Sequence, residues 1–119
     1  VELSKAKGEP KVFVVAGNGC GIGCYRSLQK KQIPFATGIL YENDVDTQVA
    51  RELSDHVITA PAFEPMNGQL FAQAAEVMLR CEAVIDAGTA IGSLNAMNGK
   101  LLTLAKDKNI PIHRKEALL

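Results

Sequence analysis

Val12-Phe13-Val14-Val15-Ala16-Gly17-Asn18-Gly19-Cys20-Gly21-Ile22-Gly23 decides the fold. Val12 to Ala16 is an unbroken apolar run rich in β-branched residues, which suits a strand buried on both faces of a parallel sheet. Four alternating glycines follow, at 17, 19, 21 and 23. Each costs conformational entropy, so the turn needs a reason for them. Glycine permits positive φ and lets a backbone approach something closely. At a helix N-terminus that partner is often an anion, held by free N–H groups and the helix dipole.

Working outward, a helix runs from Ile22 to about Gln32, with Ile22, Tyr25 and Leu28 on one side and Pro34 closing it. Phe35 to Leu40 reads as a second strand. Asn43 or Asp44 caps a short helix whose inner face is Val45, Val49, Ala50 and Leu53. His56 to Ala60 is a third strand, closed by Pro61. After the loop at 62–68, an amphipathic helix buries Leu70, Phe71, Ala74, Ala75 and Met78. Ala83 to Ala87 is a fourth strand. A turn of small polar residues leads to a helix with Leu94, Met97, Leu101 and Leu104 on one face and Lys100, Lys106 and Lys108 outside. Ile110 to His113 is the fifth strand. Strict alternation of strand and helix predicts a Rossmann-like, doubly wound α/β domain. It is a three-layer α/β/α sandwich around a parallel five-stranded sheet in order 3-2-1-4-5. Residues 11–114 form this domain, after a polar linker at 1–10 and before a tail at 115–119.

Composition removes several classes of function. The 119 residues carry 13 basic and 13 acidic side chains, a balance that argues against nucleic acid and against a polybasic membrane-surface role. No apolar run reaches the roughly 20 residues that span a bilayer, and no signal peptide is legible. Three cysteines, Cys20, Cys24 and Cys81, cannot all pair, which points to the cytoplasm. The chain starts at Val1, and the Gly/Pro-punctuated lead-in reads as a linker from a longer protein.

The glycine spacing is not the dinucleotide fingerprint. Counted from Gly17 the third glycine would fall on Ile22, and counted from Gly19 it would fall on Cys24. No Lys-Ser/Thr pair follows, which excludes a P-loop. The turns after strands one and four nevertheless open on the same carboxyl edge, beside the switch point where open α/β sheets bind ligands. The candidate ligand-binding residues are therefore Gly17, Asn18, Gly19, Gly21 and Gly23 in the first turn, with Gly88, Thr89, Gly92, Ser93 and Asn95 in the second. Glu42, roughly 20 residues on, stands near where a ribose-binding acid would sit. With Asn43, Asp44 and Asp46 it also fits a solvated loop with a helix cap. Asp86, inside the fourth strand, needs a partner: either the N–H groups of a neighbouring turn or a ligand hydroxyl.

Catalytic and metal residues are not assigned. Cys20 and Cys24, at i and i+4, share the positive end of a helix, which lowers a thiol pKa. A metal or redox pair would need further ligands from His56 or His113, and nothing in the sequence brings these near, so small buried thiols are the preferred reading. Ser27 lacks the G-x-S-x-G context of a nucleophile.

Several segments in succession carry a resemblance. They are Val15 to Gly21, Thr37-Gly38-Ile39-Leu40, Asn43-Asp44-Val45-Asp46 with Ala50, Ala62-Phe63-Glu64-Pro65-Met66, Val84-Ile85-Asp86-Ala87-Gly88 and Gly92-Ser93-Leu94-Asn95. This order resembles the C-terminal accessory domain fused to ABC transporter ATPases of the iron-complex and cobalamin import class, over about residues 11 to 114. The resemblance implies a non-catalytic ligand-sensing, regulatory or assembly domain. ATP, with Mg, would be used by an ABC ATPase domain in cis, and a membrane permease would be reached through that parent protein at the inner face of the membrane. A homodimer is a further expectation. This chain has neither a Walker motif nor an ABC signature, so no ATPase residue carries over. A small nucleotide-processing enzyme similar to the phosphoribohydrolases is the alternative, although no Arg-plus-Glu constellation for glycosidic cleavage is visible. An NAD-binding domain is a third reading, weakened by the departed fingerprint.

Overall fold

The structure is a computed structural model and describes residues 5–16, 19–60, 68–88 and 93–114, with the backbone alone at 93–96. Strand β1 (Val12–Val15) leads to helix α1 (Ile22–Lys30), β2 (Phe35–Tyr41), α2 (Val45–Leu53), β3 (His56–Ala60), α3 (Gly68–Leu79), β4 (Ala83–Asp86), α4 (Ser93–Asp107) and β5 (Ile112–Arg114). All neighbouring strands are parallel and the order is β3-β2-β1-β4-β5. The domain is thus the doubly wound three-layer α/β/α fold that the alternating pattern predicts.

Each strand divides its side chains between two cores, because alternate residues point to opposite faces. Phe13, Val15 and Val84 pack with Met78, Met97 and Leu101 under α3 and α4. Val14, Leu40 and Ile85 pack with Tyr25, Leu28 and Ala50 under α1 and α2. Among the described residues no helix is long and apolar enough to cross a membrane. Residues 5–10 have neither helix nor strand, yet Lys5 is ion-paired with Asp55 at 2.8 Å and Pro10 is buried.

Three expectations need correction. Helix α1 ends at Lys30, not near Gln32: Gln32 takes φ +57°, and the Ile33 N–H donates back to the Leu28 carbonyl at 2.9 Å. The left-handed residue reverses the chain before Pro34 is reached. Val45, predicted to face inward from α2, is 50% exposed, and its neighbour Asp46 is fully buried in its stead. The third correction concerns β5, which begins at Ile112 rather than Ile110. Asn109 adopts φ +60° and the Ile110 N–H is spent closing α4 on the Ala105 carbonyl. Residues 61–67 and 115–119, and the side chain of Leu94, lie outside the described residues.

Strand β2 carries an irregularity that the sequence does not announce. It uses Ala36 to Ile39 where β3 uses only His56 to Ile58, so one extra residue is accommodated. Pairing with β1 reaches only Val14↔Thr37. Beyond that point Asn98, buried on α4, stands in for a strand. Its Oδ1 accepts from the Ile39 N–H at 3.3 Å, and its Nδ2 donates to the Ile39 carbonyl at 3.2 Å. Gly38 makes room for it, since a Cβ there would lie 3.0 Å from Asn98 Oδ1.

Candidate functional site

The carboxyl edge of the sheet gathers the candidate residues because β1 and β4 are adjacent and end together. Val15 is in register with Asp86, and the Ala87 N–H donates to the Val15 carbonyl at 2.9 Å. The two following turns then meet. Gly88 has φ +113°, and a Cβ on it would lie 3.2 Å from both Cβ and Sγ of Cys20. Only glycine satisfies the backbone angle and the close approach together. Gly19, at φ +85°, sits on the other side of Cys20, where its nearest neighbour in the Cβ direction is Val45 Cγ1 at 3.7 Å. Gly19, Cys20, Gly88 and the exposed Val45 thus lie close together at the switch point, the crevice where open α/β sheets bind ligands.

Not every glycine of the first turn faces that crevice. Gly21 is buried, and a Cβ there would come within 2.6 Å of Ala16 Cβ and 2.8 Å of the Tyr25 ring and hydroxyl. Its N–H donates to Asp46 Oδ2 at 3.2 Å. Gly21 therefore serves packing between the turn and α2, with its donor already used. Gly23 is exposed, and no atom outside its own helix lies within 4 Å of a built Cβ. Gly17, Asn18, Thr89 and Gly92 lie outside the described residues. Ser93 and Asn95 fall on the first turn of α4, with their side chains also outside them.

The carboxylates have distinct employments. Asp86 Oδ1 accepts from the Gly88 N–H at 3.3 Å, holding the second turn from below. Glu42 accepts from the Thr59 hydroxyl at 2.6 Å and from Arg51 Nη2 at 3.2 Å, tying the end of β2 to β3 and α2. The Thr59 hydrogen bond and then the Arg51 guanidinium hold its carboxyl below the ordinary range. Asp44 caps α2 by accepting from the Asp46 N–H at 2.9 Å. Of the acidic cluster after β2, Asp46 is not solvated at all: it is fully buried beneath the glycine turn.

Tyr25 completes this underside. Its ring stacks on Phe35, with centroids 5.2 Å apart and planes 2° from parallel. Among the described residues its buried hydroxyl has no hydrogen-bond partner. Burial, with the Asp46 and Asp44 carboxylates adding, drives the phenol well above its usual value.

Sequence reasoning missed Asp46, Tyr25 and Asn98 as organisers of this edge. An Asp at the second position of a helix reads as a first-turn acid facing water. A tyrosine on an apolar helix face reads as core. Neither residue type signals which turn it will touch.

The arrangement offers a bordered crevice and little reactive machinery. No group of three or more His, Cys, Asp or Glu side chains is placed to hold a metal among the described residues. His113, which the sequence left apart from Cys20 and Cys24, lines one groove with them beside α1.

No curated protein and no solved structure matches the chain. A profile of the MJ0874 family matches residues 35–117, from the start of β2 past the end of β5. That match spans more than half of the chain, with β1 and the glycine turn lying before it, and on it the chain belongs to the MJ0874 family.

Proposed function

We propose that this chain is a non-catalytic ligand-sensing domain whose ligand binds across the turns that follow β1 and β4. The observation that supports it is the contact of Gly88 with Cys20, two turns with positive-φ glycines meeting at the switch point. A close approach of two glycine-bearing turns at the carboxyl edge of the sheet suits a polar or anionic ligand. The resemblance described above supplies the context. The domain is an attachment to a cytoplasmic ABC importer ATPase that uses ATP and Mg in its own separate domain and acts on a membrane permease.

Thermal unfolding of the 119-residue chain with nucleotides, cobalamin and ferric complexes tests the sensing role. A ligand at 100 times its dissociation constant adds about 2.7 kcal/mol, which raises Tm by about 10 °C in a domain of this size. No shift with any of them sinks the sensing role. The attachment is tested separately, by reading the coding region upstream of Val1. A G-x-x-x-x-G-K-[ST] segment followed by an ABC signature is the expected result, and a start codon immediately before Val1 removes the transporter context.

A further inference from the structure

The two faces of the sheet are covered unequally. Helices α3 and α4 span the far face from β3 to β5, whereas α1 and α2 cover β1, β2 and β3 on the near one. Among the described residues no helix lies over the near face of β5, whose three residues are all exposed, while α1 reaches β4 at Ile85, which packs with Tyr25 and Leu28. A groove of about 470 Å³ lies there, between α1 and these strands. That volume is in the range of small-molecule sites.

The lining of this groove is segregated. Val12, Ala83 and Ile85 form its floor, with Leu28 and Ile33 as walls. The polar groups Ser27, Lys31 and His113 line it together with the thiols of Cys20 and Cys24 at the glycine-turn end. No carboxylate contributes among the described residues, although the chain has 13 acidic side chains to match its 13 basic ones. Among the described residues the permanent charge on the lining is the Lys31 ammonium, at the exposed C-cap of α1.

We infer that this groove binds a small amphiphile with an aliphatic body and one carboxylate head, the chain lying on Val12, Ala83 and Ile85 and the head beside Lys31. Val12 and Ala83, which water partly reaches, gain by being covered, while Ile85 is already buried. The ammonium sets which head is taken, since a cation beside an apolar lining favours an anion. A groove of this volume is matched by a small molecule. The site shares Gly19 and Cys20 with the turn of the proposed sensing function but does not depend on that reading.

Calorimetry on the whole chain with monomeric octanoate, 1-octanol and acetate as probes tests the inference. Octanoate is expected to bind, acetate not to, and 1-octanol to bind about three- to fivefold more weakly, the scale of one exposed charge contact. Lys31→Gln should bring octanoate down to the affinity of 1-octanol. Ser27→Trp, at an exposed position of α1, should block both probes while its circular dichroism stays native. Octanoate should also slow labelling of Cys20 and Cys24 by an aromatic disulfide reagent. Equal affinity for octanoate and 1-octanol, indifference to Ser27→Trp, or no heat and no protection of the thiols would each overturn the inference. So would a dimer that Ser27→Trp dissociates and octanoate leaves intact, which would make the groove a contact between copies. A nucleotide- or cobalamin-induced Tm shift that Ser27→Trp leaves unchanged keeps the two sites distinguishable.

Discussion

Gly21 and Asp46 hold the underside of the glycine turn from opposite elements, and each is constrained for its own physical reason. Gly21 has an ordinary φ of −91°, so sterics alone exclude a side chain there. Gly21→Ala places a methyl 2.6 Å from Ala16 Cβ and should cost about 1–3 kcal/mol of unfolding free energy in urea titrations. Asp46→Ala removes the acceptor of a buried N–H and should cost a similar amount, about 1–3 kcal/mol, while Asp46→Asn, which keeps an oxygen there, costs less. Tyr25 predicts a pH dependence. Its folded-state pKa lies above the usual 10.0 because burial, aided by two carboxylates, disfavours the phenolate. Its stabilising contribution is complete below pH about 10 and is lost above it, where the unfolded chain gives up the proton and the folded one does not. Denaturant midpoints measured across that range should fall, and Tyr25→Phe should remove that part of the fall.

At the scale of elements, helix ends and one strand irregularity set where everything else lies. Helices α1 and α4 both stop on a left-handed residue that is not glycine, Gln32 at φ +57° and Asn109 at φ +60°. Asparagine tolerates that region and glutamine does not benefit from it. Gln32→Gly should therefore stabilise the domain by about 0.5–1 kcal/mol in chemical denaturation, and Asn109→Gly by less. A lower midpoint for Gln32→Gly would mean that the Gln32 Nε2 contact with the Gln29 carbonyl, at 2.8 Å, outweighs the backbone strain. Asn98 matters more. Asn98→Leu keeps the volume and leaves the Ile39 N–H and carbonyl without their side-chain partner in a buried place, a loss of about 2–4 kcal/mol. Amide exchange at Ile39 should speed up with it.

For the molecule as a whole, the thiols report on integrity and on the open face together. Cys81 is 7% exposed and burial pushes its thiol up to about 11, whereas Cys20 and Cys24 are half-buried along the groove. A thiol reagent at mildly alkaline pH should modify Cys20 and Cys24 in the folded protein and reach Cys81 only on unfolding. Rapid modification of Cys81 under native conditions would contradict its burial in the core beside Met78 and Val84.

How much of this was legible follows from the range of each interaction. Periodicity is local, so the run Val12 to Val15, the caps around Asp44 and the alternation of strands with helices yielded the fold class and the strand order in advance. The meeting of the turns after β1 and β4 was also legible, because right-handed crossovers leave a parallel sheet few arrangements. The errors came where a long-range contact outweighed local pattern. Asp46 looked solvated and is buried because Gly21 needs an acceptor; Val45 looked inward and is exposed because Asp46 took the inner position. Asn98 lay hidden in a helix pattern because its partner, Ile39, is 59 residues away. By itself, then, the sequence determined a parallel doubly wound sheet and the edge at which its glycine turns emerge, since both rest on spacing along the chain. Only the tertiary structure decided which glycine faces the crevice, which carboxylate is buried and, among the described residues, that β5 is exposed. Those depend on buried donors and acceptors finding partners across space, and that demand carries no local signature.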